Sequence, residues 1–253
     1  MFNPTHYCNE ITALVAIIIL CIVGYLLGSI SFAVIFSKLF TGKDVREQGS
    51  GNAGMTNVMR TSGKLPGILT FLGDFLKGTF SVLIAMNFFA PLGEFLFAKG
   101  VSGLSLMSYL PSIEEIVNPR IVGYIVAIFC MLGHMFPVFF KFRGGKGVAT
   151  IVGVAAAFNP LTALGCFVFF LIIVVCTKYV SLASILAVTL AIPMNAITYY
   201  FLYRGGEFIW LGGLEVLIST ILVFIMSGMV VARHHENIGR LINGTERKIG
   251  SKK

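Results

Sequence analysis

At 253 residues, 57% hydrophobic and only 12% charged, the chain carries about half the charge of an ordinary soluble domain, which weighs against a water-exposed globule. Its mean hydropathy is +0.90, and 23 Phe with 28 Gly fit a polytopic membrane protein whose helices approach closely at glycine. A net charge of +8 invites a nucleic-acid reading, but the charges sit between apolar runs; five cysteines without a CxxC pair weigh against a disulfide framework or a zinc site.

The first apolar run predicts a spanning helix over 11–38. No Lys or Arg precedes it, and it continues to about Phe36, past the roughly 7–15 residues of a signal h-region, so a cleaved leader is not expected. Next comes GSGNAGMTNVMR, residues 49–60, where Gly49, Gly51 and Gly54 space out Ser50, Asn52, Thr56, Asn57 and Arg60. A second span is predicted over 65–90. It holds Asp74 and Lys77, spaced i and i+3, which read either as a structural ion pair or as part of a site. The outer segment 91–119 is mildly amphipathic and is expected to lie on the membrane surface. Further spans follow at 120–140, 180–202 and 211–231. The apolar stretch 148–176 is too long for one comfortable helix and contains Asn159-Pro160, a turn signal. It divides into a short helix, 147–158, which either spans or is re-entrant, and a second helix, 161–177.

Charge placement tests that division. With seven spans and the N-terminus outside, 15 of the 19 basic residues fall in inner segments, as expected for a cytoplasmic side. A single span over 148–176 would put the basic C-terminal tail outside. The expected fold is therefore all-α and polytopic, with seven transmembrane helices, one or two of them short. The C-terminus is cytoplasmic, and residues 1–253 form one integral membrane domain.

This orientation gathers three polar segments on the inner side: 50–60, GHMFPVFFKFRGGKGVAT at 133–150, and RHHENIGRLINGTE at 233–246. Gly144, Gly145 and Gly147 with Lys146 precede a helix, so backbone N–H groups, a helix amino end and an ammonium can hold phosphate. The pattern is not a P-loop, because Phe140 and Gly147 occupy the first-Gly and Ser/Thr positions. Ser50, Asn52, Thr56 and Asn57 offer neutral donors and acceptors, and Arg60 can grip phosphate bidentately. His234 and Asn237 share a helix face and can meet hydroxyl or phosphate oxygens. His134 reads as structural, a partner of the Gly-rich loop. Arg240, Arg247 and Lys248 read as charges turned to lipid headgroups.

The three segments, in this order and spacing, resemble the signature motifs of the bacterial PlsY family, the acyl-phosphate:glycerol-3-phosphate acyltransferases, over nearly the whole chain. Met55 stands where that family usually has Ala. The resemblance implies transfer of an acyl group from acyl phosphate to glycerol 3-phosphate, at the cytoplasmic face of the inner membrane. It implies catalytic roles for Ser50, Arg60, Lys146, His234 and Asn237. Substrate or phosphate contacts are implied for Asn52, Gly54, Thr56, Asn57, Gly144, Gly145 and Gly147. The serine expected at the start of span six is assigned to Ser184 rather than Ser181, and Glu246 is expected to be structural. No metal or cofactor is implied. The implied partners are acyl phosphate, glycerol 3-phosphate, the bilayer and an upstream acyl-phosphate-making enzyme, with no nucleic acid.

Acyl phosphate is already an activated anhydride, so positioning and charge stabilisation can supply much of the rate. The sequence shows no obvious Ser–His–Asp or Cys–His set. Two proton acceptors stay open for the attacking hydroxyl: the substrate's own phosphate, which the resemblance suggests, and His234. The alternative function, a transporter of an organophosphate anion, predicts polar residues near the midplane rather than at one boundary. A phosphatidyltransferase holding metal through clustered Asp is disfavoured, because Asp44 and Asp74 are the only two.

Overall fold

The computed structural model describes residues 10–98, 119–203 and 210–250, and every regular element in them is helical. In chain order these are α1 (Glu10–Gly28), α2 (Phe32–Thr41), α3 (Met55–Thr61), α4 (Lys64–Ala98), α5 (Pro119–Met135), α6 (Val148–Phe158), α7 (Pro160–Thr177), α8 (Val180–Tyr203), α9 (Trp210–Ala232) and α10 (His235–Ile242). Single 3₁₀ turns lie at Val45–Glu47 and Val138–Phe140. Among the described residues six stretches are long and apolar enough to cross a bilayer: Thr12–Thr41, Lys64–Gly93, Pro119–Phe140, Pro160–Thr177, Val180–Thr198 and Glu215–Ala232. The protein is a multi-pass membrane protein.

Two sequence expectations change. The run 11–38 is not one helix, because the chain leaves helical geometry between Gly28 and Phe32. The second span does not stop at residue 90. α4 continues through Pro91 to Ala98, so the start of the expected surface segment is helix, and residues 99–118 lie outside the described residues. The division at Asn159-Pro160 holds. Asn159 ends α6, and its side chain accepts the Thr162 N–H at 3.1 Å to cap α7, with Pro160 at the first helical position, where it has no N–H to waste. α6 has 11 residues, about 16 Å, roughly half of a 30 Å hydrocarbon core.

α4 is the axis of the assembly, packing against α1, α2, α3, α5 and α6. Its contact with α6 is backbone on backbone. A Cβ on Gly78 would collide with the Thr150 carbonyl, and one on Gly153 with the Phe75 carbonyl. Thr79 Oγ1 donates to the Gly153 carbonyl at 3.0 Å across the same junction. The amino end of α6 thus sits beside Gly78, about 20 Å along α4 from Lys64. Below it, Tyr124 and Phe158 stack at 3.7 Å within a core that includes Met131, Met135, Ile151, Val154, Met226 and Val230. Leu65, Leu164, Val175 and Phe224 are exposed on the outside, as lipid-facing residues should be.

Where the first run breaks, the carbonyls of Gly28 and Ile30 accept from the Lys77 ammonium at 3.0 and 2.9 Å. Lys77 also pairs with Asp74 at 2.8 Å, and Asp74 lies 3.4 Å from His134 Nδ1. All three side chains are buried. The ion pair of the first reading is present. Replacing Lys77 with Met leaves a buried carboxylate unpaired and two carbonyls uncapped, with an expected loss of about 3–5 kcal/mol. Thermal unfolding in detergent measures it, and adding Asp74→Asn is expected to restore part of the loss.

Candidate active site

The first polar segment folds around one amide. Asn57, buried on α3, accepts the Ser50 N–H at 3.0 Å and donates to the carbonyls of Val45, Gln48 and Asn52 at 3.0–3.1 Å. Its amide is thus engaged within the loop, where it shapes the segment that carries the other polar groups. Asn52 is half-buried and gives its carbonyl to Gly54 as well, while Gly54 is the extended residue that starts α3. Ser50, Thr56 and Arg60 are exposed, and among the described residues no group hydrogen-bonds to their side chains. Thr56 and Arg60 lie one turn apart on α3. With Ser50 they are the exposed polar groups that this segment presents.

The loop is tied to the second segment by a contact the sequence reading missed. Arg46 is held by Asp44 at 2.7 Å and donates to the Phe140 carbonyl at 2.6 Å, while Phe140 packs against Ala33, Val34, Val45, Ala53 and Val58. The Arg46 guanidinium hydrogen-bonds the Asp44 carboxylate and holds its pKa down to about 2, so this tie persists across the physiological range. A D-x-R spacing at a turn was the only signal in the sequence.

The Gly-rich turn departs from the expected cradle. Gly144 and Gly145 donate their N–H groups to the carbonyls of Met135 and His134, at 3.2 and 3.1 Å, closing the carboxyl end of α5. Those two amides are consumed, so they do not face an anion. Their role is close approach: a Cβ on Gly144 would meet the His134 carbonyl, and one on Gly145 the His134 ring and the Ala53 carbonyl. Gly147 adopts φ +87, a conformation that favours glycine, and reverses the chain into α6. The amides left for an anion are those of the first turn of α6, which lack intrahelical acceptors.

The third segment closes over this turn. Arg233 donates from Nε to the Gly145 carbonyl at 3.4 Å. Lys146 donates to Asn237 Oδ1, and the Asn237 amide donates to Glu246 at 2.7 Å. Glu246 also takes Arg240 at 2.7 Å and the Ser181 hydroxyl at 2.8 Å. Ser181, not Ser184, is therefore the α8 serine in this network; Ser184 turns back to its own helix, donating to the Val180 carbonyl at 2.9 Å. Arg240 was expected to face lipid headgroups and is instead a partner of Glu246, while Lys248 lies over the Tyr179 ring at 5.4 Å. The Ile249 N–H donates to the Lys178 carbonyl at 2.9 Å, so residues 243–250 strap the α7–α8 junction.

The electrostatics suit a phosphorylated ligand. Burial lowers the Lys146 pKa to about 8, against the attraction of Glu246. Burial lowers His234 to about 4, opposed by its hydrogen bond to the Val230 carbonyl and reinforced by Lys146. His234 Nδ1 lies 2.7 Å from that carbonyl, so the neutral ring carries its proton there and presents Nε2 as an acceptor. Burial opposes ionisation of Glu246, but hydrogen bonds from Arg240, Asn237 and Ser181 keep it charged. The site thus offers a desolvated ammonium, a helix amino end and a neutral imidazole side by side. Among the described residues no cluster of His, Cys, Asp or Glu has the make-up to hold a metal ion. The Ser181→Ala variant is expected to lower activity by releasing Glu246 and with it Asn237, whereas Ser184→Ala leaves activity within about twofold of wild type. Steady-state rates of the two variants check this.

Known proteins resemble this chain in sequence and in fold. A sequence model of the family described as glycerol-3-phosphate acyltransferase matches residues 18–244. A glycerol-3-phosphate acyltransferase of Clostridioides difficile (strain 630) is 39% identical over 236 residues, covering 93% of this chain and 97% of that protein. One from Bordetella avium (strain 197N) is 40% identical over 236 residues, 93% of this chain and 94% of that protein. The crystal structure of PlsY (YgiH), an integral membrane glycerol 3-phosphate acyltransferase, in its glycerol 3-phosphate form, matches with a TM-score of 0.67 at 36% identity. That match covers 92% of this chain and 96% of the other. By sequence and by fold, the chain belongs to the glycerol-3-phosphate acyltransferase family.

Proposed function

We propose that the protein transfers an acyl group from acyl phosphate to the 1-hydroxyl of sn-glycerol 3-phosphate, giving 1-acyl-sn-glycerol 3-phosphate and inorganic phosphate. This is the first acylation step of bacterial phospholipid synthesis. The observation that carries the reading is the hydrogen bond from Lys146 to Asn237, which joins the second and third segments at the amino end of α6, next to a neutral His234. Lys146 and the first turn of α6 hold phosphate. His234 and Asn237 orient glycerol 3-phosphate. The exposed Ser50, Thr56 and Arg60 meet the second phosphorylated substrate from the other side.

The glycerol hydroxyl attacks the acyl carbonyl directly, and the C–O bond to phosphate breaks as the new ester forms. Phosphate leaves with a charge that Arg60, on the side of the second phosphorylated substrate, stabilises. The proton of the attacking 1-hydroxyl passes to a substrate phosphate, and His234 Nε2 accepts from the neighbouring 2-hydroxyl, which holds the glycerol in place. The rival is His234 as general base. A His234→Gln variant that keeps its turnover at saturating glycerol 3-phosphate excludes the rival.

The site faces the cytoplasm of the inner membrane in this reading. It counts α6 as a seventh, short crossing, with the N-terminus outside and the C-terminal strap inside. Acyl phosphate comes from an upstream enzyme that makes it. Purified protein in metal-free buffer is expected to release phosphate from palmitoyl phosphate only when glycerol 3-phosphate is present. Turnover with acyl-CoA or acyl carrier protein, and none with palmitoyl phosphate, would overturn the donor assignment.

Lys146 also fixes a pH signature. Its folded-state pKa, about 8, is below the ordinary 10.5, so the ammonium is present below pH 8 and lost above it. In the free enzyme kcat/KM for glycerol 3-phosphate is expected to fall about tenfold per pH unit above pH 8. Lys146→Arg stays cationic and removes that limb, even at a lower absolute rate.

A further inference from the structure

We propose that Asp74 and His134 are positioning residues for the phosphate-binding turn: the buried carboxylate fixes the His134 ring, and His134 in turn fixes the place of Gly144–Lys146. The proposal rests on the reading of Lys146 as the phosphate ligand. Every link is a contact between neighbouring groups. Asp74 is anchored by Lys77 at 2.8 Å and faces His134 Nδ1 at 3.4 Å. The His134 carbonyl takes the Gly145 N–H at 3.1 Å, and its ring lies where a Cβ on Gly145 would have to go. The next carbonyl, Met135, takes the Gly144 N–H at 3.2 Å. Lys146 is the following residue, with no secondary structure of its own to hold it.

Asp74 is 2% exposed and His134 is 7% exposed. Their close partners are Lys77, each other and Gly145 rather than the Lys146 ammonium, so both act through the turn. Lys77 already satisfies the carbonyls of Gly28 and Ile30. The contact to His134 is therefore what the Asp74 carboxylate adds beyond neutralising Lys77. A buried pair held only for stability is replaceable by apolar groups of similar volume at little loss. A pair that sets a loop is not, because the loop loses its register when the ring is free.

The test uses the purified full-length protein with palmitoyl phosphate and glycerol 3-phosphate, together with amide hydrogen exchange over residues 143–150. His134→Ala removes the ring and leaves the carbonyl. It is expected to raise KM for glycerol 3-phosphate about tenfold or more, with kcat within about threefold of wild type. Exchange at Gly144 and Gly145 is expected to speed up, while α8 is unaffected. His134→Asn keeps a donor where Nδ1 stood and is expected to restore most of both. If the Ala variant does not fold, His134→Gln, whose amide sits one bond further out, takes its place. Asp74→Asn added to His134→Ala is expected to leave KM no worse than the single variant, since both act through one path. Unchanged KM and exchange in the folded variant would overturn the proposal. So would a fall in kcat alone, or an Asn variant no better than Ala. If the wild type does not turn over these substrates, the functional reading fails, and the exchange comparison still decides the positioning role.

Discussion

A lysine ammonium cannot stay inside a bundle of apolar helices unless its charge and its three N–H bonds are all met, and Lys77 meets that condition in a way that organises its neighbours. Asp74 takes the charge, and the two carbonyls freed by the break between α1 and α2 take the remaining donors. The break and the lysine therefore require each other. Without the lysine, the open carbonyls of Gly28 and Ile30 would face a low-dielectric interior unpaired. Without the break, the lysine would lack acceptors. The same carboxylate faces His134, so the constraint reaches the carboxyl end of α5 and the turn that follows it.

From that point the functional segments are held by contacts too close for most side chains. Gly145 lies against the Ala53 carbonyl of the first segment and the His134 ring of the second, and its own carbonyl accepts from Arg233 of the third. Three stretches far apart in the chain thus meet at one residue without a Cβ. The packing of α6 on α4 through Gly78 and Gly153 sets where the amino end of the short helix falls, about 20 Å along α4 from Lys64. This recess surrounds Lys146 with protein, and the resulting burial lowers its pKa toward the working range. The C-terminal strap then seals the arrangement, with Glu246 accepting from Ser181, Asn237 and Arg240 at once.

The chemistry that follows is modest in what it asks of side chains. In the proposed reaction the acyl donor brings its own leaving group, so what is asked of the protein is charge placement and orientation rather than a nucleophile. A neutral His234 whose Nδ1 proton is spent on the Val230 carbonyl suits orientation, since Nε2 is left as a fixed acceptor. The division between consumed and free groups is also informative. Asn57, Gly144 and Gly145 are used up in holding loops, while Ser50, Thr56 and Arg60 remain open on the surface.

Much of this was legible in the sequence. Hydropathy, the Lys and Arg placed between apolar runs, and Asn159-Pro160 predicted the helical membrane fold and the short helix before α7, because span length and capping chemistry are local properties. The i, i+3 spacing of Asp74 and Lys77 predicted their pairing for the same reason. The three polar segments and their clustering on one side were also readable, since residue type and order carry that signal. Only the tertiary structure decided which of those polar groups are spent. Asn57 looks like a ligand-binding amide until Val45, Gln48 and Asn52 are brought to it, and Ser181 and Ser184 are equivalent until Glu246 arrives from 65 residues away. The break after Gly28 was invisible because the group that takes its carbonyls, the Lys77 ammonium, lies 49 residues further along the chain. Local pattern determines helices and their ends; whether a buried polar group is a tool or a tie depends on partners that only folding supplies.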